Sequence, residues 1–248
     1  MSQKLNELRE KENRDENIRL NKYLSDSGVC SRRQADRMVE EGRITVDGRK
    51  ALMGEKVNSS MDIRIDGKSI MPENEKILLA FNKPTGIECT TDRENPDNIV
   101  DYINYPKRIY PIGRLDKNSE GLILLTNEGS LVNKILKGSN YKEKEYIVTV
   151  DKTVTDEFME KMSGGVEILD TVTRPCKVTK VSKHTFNIVL TQGLNRQIRR
   201  MCQKLGYNVQ KLKRVRIMNI KLGNLKKGKY RNVTEGELEE LLKAFESR

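Results

Sequence analysis

The 248-residue chain has no tryptophan and one histidine. Its four cysteines, Cys30, Cys89, Cys176 and Cys202, are widely separated and form no Cys-x-x-Cys pair. That spacing, with His184 the one possible nitrogen ligand, argues against a zinc site and against a disulfide framework, and the thiols are expected to be reduced and mostly buried. A serine or cysteine nucleophile needs an imidazole beside it. His184, between Lys183 and Thr185 at the start of an alternating strand, is expected at the surface instead. Long apolar runs are missing as well: the longest, Ile77–Phe81, has five residues, far short of a membrane span or signal-peptide core. A cytoplasmic location without a membrane partner is therefore expected. No dinucleotide fingerprint occurs. "DGKS", Asp66 to Ser69, ends like a phosphate-binding loop, but Asp62 occupies the place of its first glycine, leaving a hairpin turn.

One absence is positional. From Thr171 to Thr234 there is no aspartate or glutamate, while seventeen lysines and arginines occur there, more than the whole net charge of +11. A surface kept clear of acids suits a polyanion. Nucleic acid is favoured over a membrane surface because no amphipathic, aromatic-tipped helix accompanies the charge.

Residues 1–17 are rich in both charge signs and poor in apolar side chains, and are expected to form a flexible tail. From Ile18 the pattern is helical, with Leu20, Tyr23 and Leu24 on one face and Gly28 as a stop. "SRRQ", Ser31 to Gln34, matches a capping box for a second short helix ending at Gly42. "RITVDGRKA" and "MDIRIDGKSI" then alternate through Asp47-Gly48 and Asp66-Gly67, the signature of tight hairpins. This compact unit is placed at residues 18–76.

Residues 77–248 mix strands and helices. "ILLAFNKPTG", "GLILLT" and "EYIVTV" are expected as buried strands, the last with Tyr146, Val148 and Val150 on one face. Helices are expected after Ser130 and Thr155, and "TEGE", Thr234 to Glu237, is a capping box before Leu238, Leu241, Leu242 and Phe245.

Two stretches carry resemblances. "RLNKYLSDSGVCSRRQADRMVEEGRITVDGR", Arg19 to Arg49, resembles the S4-type RNA-binding module. "NKPTG", "GRLDKNSEGLILLTNEG", "KEY" and "GLNRQIRRMC" occur in the order found in pseudouridine synthases that modify ribosomal RNA and carry that module. The resemblance implies an α+β protein: a small S4-type α/β domain, then a catalytic domain on a mixed, largely antiparallel sheet. It implies an isomerase that turns a specific uridine of ribosomal RNA, in a large-subunit stem-loop, into pseudouridine. Transfer RNA is left open as a second substrate, and a monomer is expected. The bond from ribose to a ring nitrogen is exchanged for one to a ring carbon, so no redox cofactor, metal or nucleotide is required.

Asp116 matches the family's catalytic aspartate, acting as nucleophile or as base. Arg199 matches its ion-pair partner, and Tyr146 the residue that stacks on the flipped-out base. Arg32, Arg33, Arg37, Lys83, Arg114, Arg196 and Arg200 are the candidates for contacting RNA. The alternative from another class is a non-enzymatic RNA-binding or ribosome-assembly factor of the same fold, which would need no joint Asp116, Tyr146 and Arg199.

Overall fold

The computed structural model describes residues 17–71, 73, 75–136 and 142–246. Apart from Asn17, the expected tail lies outside them. Two compact units are present. One comprises the chain up to Ile77 with short returns at Tyr105–Ile109 and Asn127–Gly129; the other comprises the remainder.

In the first unit the strand β1 (Ile18–Arg19) leads into α1 (Leu20–Asp26) and α2 (Arg32–Glu40). The expected capping box forms: Gln34 N–H donates to Ser31 Oγ at 3.2 Å and Ser31 N–H to Gln34 Oε1 at 2.9 Å. The antiparallel strands β2 (Ile44–Val46), β3 (Arg49–Lys50), β5 (Ile63–Ile65) and β6 (Lys68–Ser69) form one small sheet, and β4 (Lys56–Val57) pairs with β1. Both Asp-Gly turns have left-handed backbone at each central residue, with φ of 49° at Asp47 and Asp66 and 80° and 78° at the glycines. That geometry matches the right-handed twist of the strands they join. Leu20, Leu24, Ala35, Ile44, Val46, Val57 and Ile63 close the core. Arg32, Arg33 and Arg37 are exposed on α2.

The second unit is organised by one nine-stranded sheet. Its strands are β7 (Leu78–Lys83), β8 (Tyr110–Ile112), β9 (Glu120–Thr126), β10 (Lys144–Val150), β13 (Lys177–Ser182), β14 (Thr185–Leu190), β15 (Val209–Ile217), β16 (Ile220–Lys221) and β17 (Tyr230–Asn232). The main order is β13-β14-β10-β15-β9-β7-β17, with β16 on β15 and β8 on β9. Every pairing is antiparallel except β9 with β15. A separate hairpin joins β11 (Glu167–Ile168) to β12 (Thr171–Val172).

The helices α3 (Ile99–Ile103), α4 (Gly129–Leu136), α5 (Asp156–Gly164), α6 (Gln197–Lys204) and α7 (Glu235–Glu246) complete the chain. Thr155 caps α5 by accepting from Phe158 N–H at 3.1 Å. Thr234 and Glu237 form the box before α7, with Thr234 N–H donating to Glu237 Oε2 at 2.9 Å and Glu237 N–H to Thr234 Oγ1 at 3.2 Å. Val148, Val150 and Phe186 from the sheet pack with Phe158 and Met162 of α5 and with Ile198, Met201 and Cys202 of α6. That packing fixes α6, and with it the arginines on its flank. Leu131 and Ile135 of α4 are buried, whereas Leu136 is 48% exposed and borders a cleft.

Candidate active site

The parallel contact between β9 and β15 brings together residues far apart in sequence. Gly121 lies opposite Arg214, and a Cβ on Gly121 would stand 2.2 Å from the Arg214 carbonyl oxygen. With φ of 105°, this position takes glycine for both space and conformation. The close approach sets the loop before β9, which carries Asp116, beside β15.

That loop is tied down from several sides. Ser119 N–H donates to the Asp116 carbonyl at 2.9 Å and Gly86 N–H to the Lys117 carbonyl at 2.9 Å. Leu115 N–H points at Cys89 Sγ, 3.4 Å away. Lys83 is fully buried, and its ammonium donates to the carbonyls of Pro84 at 2.8 Å, Ile87 at 2.6 Å and Lys117 at 3.4 Å. Burial pushes the Lys83 ammonium below its ordinary value. Expected among the RNA contacts, Lys83 instead braces the loop from within, with no face left for a phosphate.

A cleft of about 450 Å³ opens at this loop, lined by Asp116 and Arg114, Tyr146 of β10, Arg199 of α6 and Arg196 just before it. Asp116 Oδ2 is 3.5 Å from Arg196 Nη1 and 4.0 Å from Arg199 Nε. The nearer cation is thus Arg196, which starts α6 in a left-handed conformation with φ of 50°. Arg199 is held more firmly: Nη1 donates to the Val209 carbonyl at 3.2 Å, and Nη2 to the Asn118 carbonyl at 2.9 Å and Ser119 Oγ at 3.4 Å. It laces α6 to β15 and to the Asp116 loop. Its Nε is buried without a hydrogen-bond partner among the described residues, 4.0 Å from the carboxylate. Burial, followed by the neighbouring Arg196, presses the Arg199 guanidinium below its ordinary value, opposed by Asp116.

Tyr146 packs against the core while lining the cleft. Arg200 is half-buried and turns to Asn195, donating to its carbonyl at 3.1 Å and to its Oδ1 at 3.3 Å, so it shapes the turn before α6. Two lining cations were not among the sequence candidates. Lys144 stands in "KEY" two places before Tyr146, and Arg214 in "KLKRVR" two places after the buried Leu212. Period-two alternation was the available signal: it places Arg214 on the inward face.

The thiols offer no competing nucleophile: burial pushes Cys202 up to about 12 and Cys176 up to about 11. Among the described residues no cluster of His, Cys, Asp and Glu could hold a metal ion, and no helix is long and apolar enough to cross a membrane.

Residues 77–204 match the RNA pseudouridylate synthase family and residues 18–63 the S4 domain. The chain is 52% identical over 235 residues to the dual-specificity RNA pseudouridine synthase RluF of Escherichia coli K12, covering 94% of this chain and 81% of that one. It is 35% identical to the ribosomal large subunit pseudouridine synthase B of Bacillus subtilis, covering 90% and 95%. A solved pseudouridylate synthase superposes with a TM-score of 0.66 at 26% identity, over 90% of this chain and 99% of that one. Matched in both of its segments and along nearly its whole length, the chain belongs to the RNA pseudouridylate synthase family, as an enzyme with an S4 domain ahead of its catalytic domain.

Proposed function

We propose that the enzyme isomerises one specific uridine in a stem-loop of large-subunit ribosomal RNA, with Asp116 as the reacting carboxylate. The observation that carries this reading is the convergence of Asp116 and Tyr146 on one cleft, with Arg199 lacing the aspartate's loop to α6 and β15. The reacting atoms of a stacked uridine are inaccessible, so the base is flipped out and laid on the Tyr146 ring. Asp116, beside two guanidiniums, lines the cleft and is available as nucleophile or base.

Exposed Arg114 and Arg196 at the cleft, with Arg200 behind them, hold the RNA backbone near the target, and Arg32, Arg33 and Arg37 of the S4 unit dock a structured neighbour. The ribosomal name of one relative supports ribosomal RNA as the main substrate, and the dual-specificity name of another is compatible with a second RNA, for which transfer RNA stays open. The domains are taken as residues 18–76 and 77–248, acting in the cytoplasm as a monomer.

The test is a transcriptome-wide map of pseudouridine in cells with and without the protein, followed by reconstitution on a transcript of the lost site. A lost site in large-subunit ribosomal RNA that the purified protein restores supports the reading. Loss confined to other RNAs overturns the substrate.

A further inference from the structure

The cleft holds more positive charge than its carboxylate balances. Among the described residues five cations line it, Arg114, Lys144, Arg196, Arg199 and Arg214, against the single carboxylate of Asp116. Arg114 and Arg196 are exposed, and Arg199 is engaged with the carbonyls of Asn118 and Val209. Lys144 and Arg214 remain to be explained.

Arg214 is 3% exposed. Its Nε donates to the Leu122 carbonyl at 2.7 Å, which orients the guanidinium, while Nη2 is buried without a hydrogen-bond partner among the described residues. A buried donor left unsatisfied is costly and calls for a ligand that completes it. Lys144 is half-buried, and burial, with Arg214 and Lys142 adding to it, pushes its ammonium below the ordinary lysine value.

Placement names the ligand. Tyr146 and Arg214 are directly opposed across β10 and β15, and Lys144 is two residues before Tyr146 on its strand. The ladder shifts register between Glu145 and Tyr146, where Val215 of β15 is skipped, and Lys144, Tyr146 and Arg214 nevertheless line the same cleft, so both cations stand beside the ring on which the base stacks. The intervening acid, Glu145, is engaged elsewhere: Arg216 Nε reaches it at 2.6 Å. At 3% exposure Arg214 suits a flat base flipped out of the helix better than a phosphate held in the backbone.

We infer that Lys144 and Arg214 form an oxyanion subsite for the uracil ring, donating to its O2 or O4 and stabilising the negative charge it acquires during isomerisation. The inference rests on the proposed reading of Asp116 and Tyr146. When the bond from C1′ to N1 breaks, its electron pair leaves with uracil and spreads over N1, O2 and O4. After the base turns, a C5 to C1′ bond forms, the C5 proton is released and N1 takes one up, so atoms and electrons balance without a further reactant. Addition of Asp116 at C6 would also place charge on O4. The subsite therefore serves either role of the aspartate.

The experiment uses the full chain and an RNA fragment containing the mapped uridine, measuring single-turnover rate at saturating protein and dissociation constant by titration. Arg214→Met should slow turnover about 10²–10³-fold, the loss typical of one preorganised donor at a developing oxyanion. Its dissociation constant should stay within about threefold of wild type, as for an interaction made in the transition state. Arg214→Lys, which keeps a cation, should recover part of the rate. Lys144→Met should lose about tenfold or more with affinity kept. If Arg214→Met does not fold, the half-buried Lys144 site decides alone.

Affinity lost about tenfold with the saturated rate intact would make the pair a phosphate contact and overturn the inference. Wild-type rate and affinity in the variants would reduce the pair to framework and overturn it equally. A wild-type enzyme that forms no pseudouridine on the mapped RNA would instead sink the reading beneath it.

Discussion

Replacing Asp116 with asparagine keeps the size of the side chain and removes its charge, which separates chemistry from binding. The cost in stability follows from the two ion pairs, at 3.5 Å to Arg196 and 4.0 Å to Arg199, made by a carboxylate that is 34% exposed. Pairs this open to solvent contribute about 0–1 kcal/mol, and Arg199 keeps its carbonyl partners. The thermal midpoint of a chain this size should therefore fall by about 4 °C at most. RNA affinity should hold or rise slightly, because the lost charge is the one carboxylate among the cleft's five cations, and its removal raises the positive potential facing phosphate. Turnover should fall at least about 10²-fold if Asp116 is a base, and by about 10⁶-fold, below detection, if it is the nucleophile. The assay incubates the mapped RNA fragment with each protein, scores pseudouridine by chemical derivatisation and measures binding by titration. Wild-type turnover by the Asp116→Asn protein would refute the assignment. Affinity falling in parallel with turnover would show that Asp116 shapes the RNA site rather than the reaction.

Gly121→Ala should destabilise the catalytic unit by about 3 kcal/mol or more, since the new methyl meets the Arg214 carbonyl at 2.2 Å and neither backbone can yield cheaply; a denaturant midpoint unchanged from wild type would contradict the packing described. Tyr146→Phe should retain most turnover and Tyr146→Leu little, because stacking uses the ring face; equal losses in single-turnover assays would assign the work to the hydroxyl. Hydrogen bonds from Arg216, then Asn187, hold the Glu145 carboxyl below its ordinary value. Its contribution to stability is then present above the unfolded value of about 4.3 and lost as pH falls through the lower folded value. Glu145→Gln should flatten the acid limb of a stability-against-pH curve, and an unchanged limb would show that the pair is not linked to folding.

Much of the local structure was legible before any coordinates. The capping boxes at Ser31 and Thr234, the cap at Thr155 and the two Asp-Gly turns are written within four residues of chain, because each is a hydrogen bond or a backbone preference between near neighbours. Strand periodicity placed Tyr146, Val148 and Val150 on one face, and the order of the motifs pointed to the family. Tertiary structure decided what depends on distant partners. The parallel pairing of β9 with β15 sets Gly121 against Arg214, which no local pattern could announce. Only the closed fold shows that Lys83 spends its ammonium on three carbonyls, that Arg196 lies nearer Asp116 than Arg199 does, and that Arg214 carries a buried donor without a partner among the described residues. A side chain's charge is a property of the residue, but its burial and its partners belong to the sheet that surrounds it.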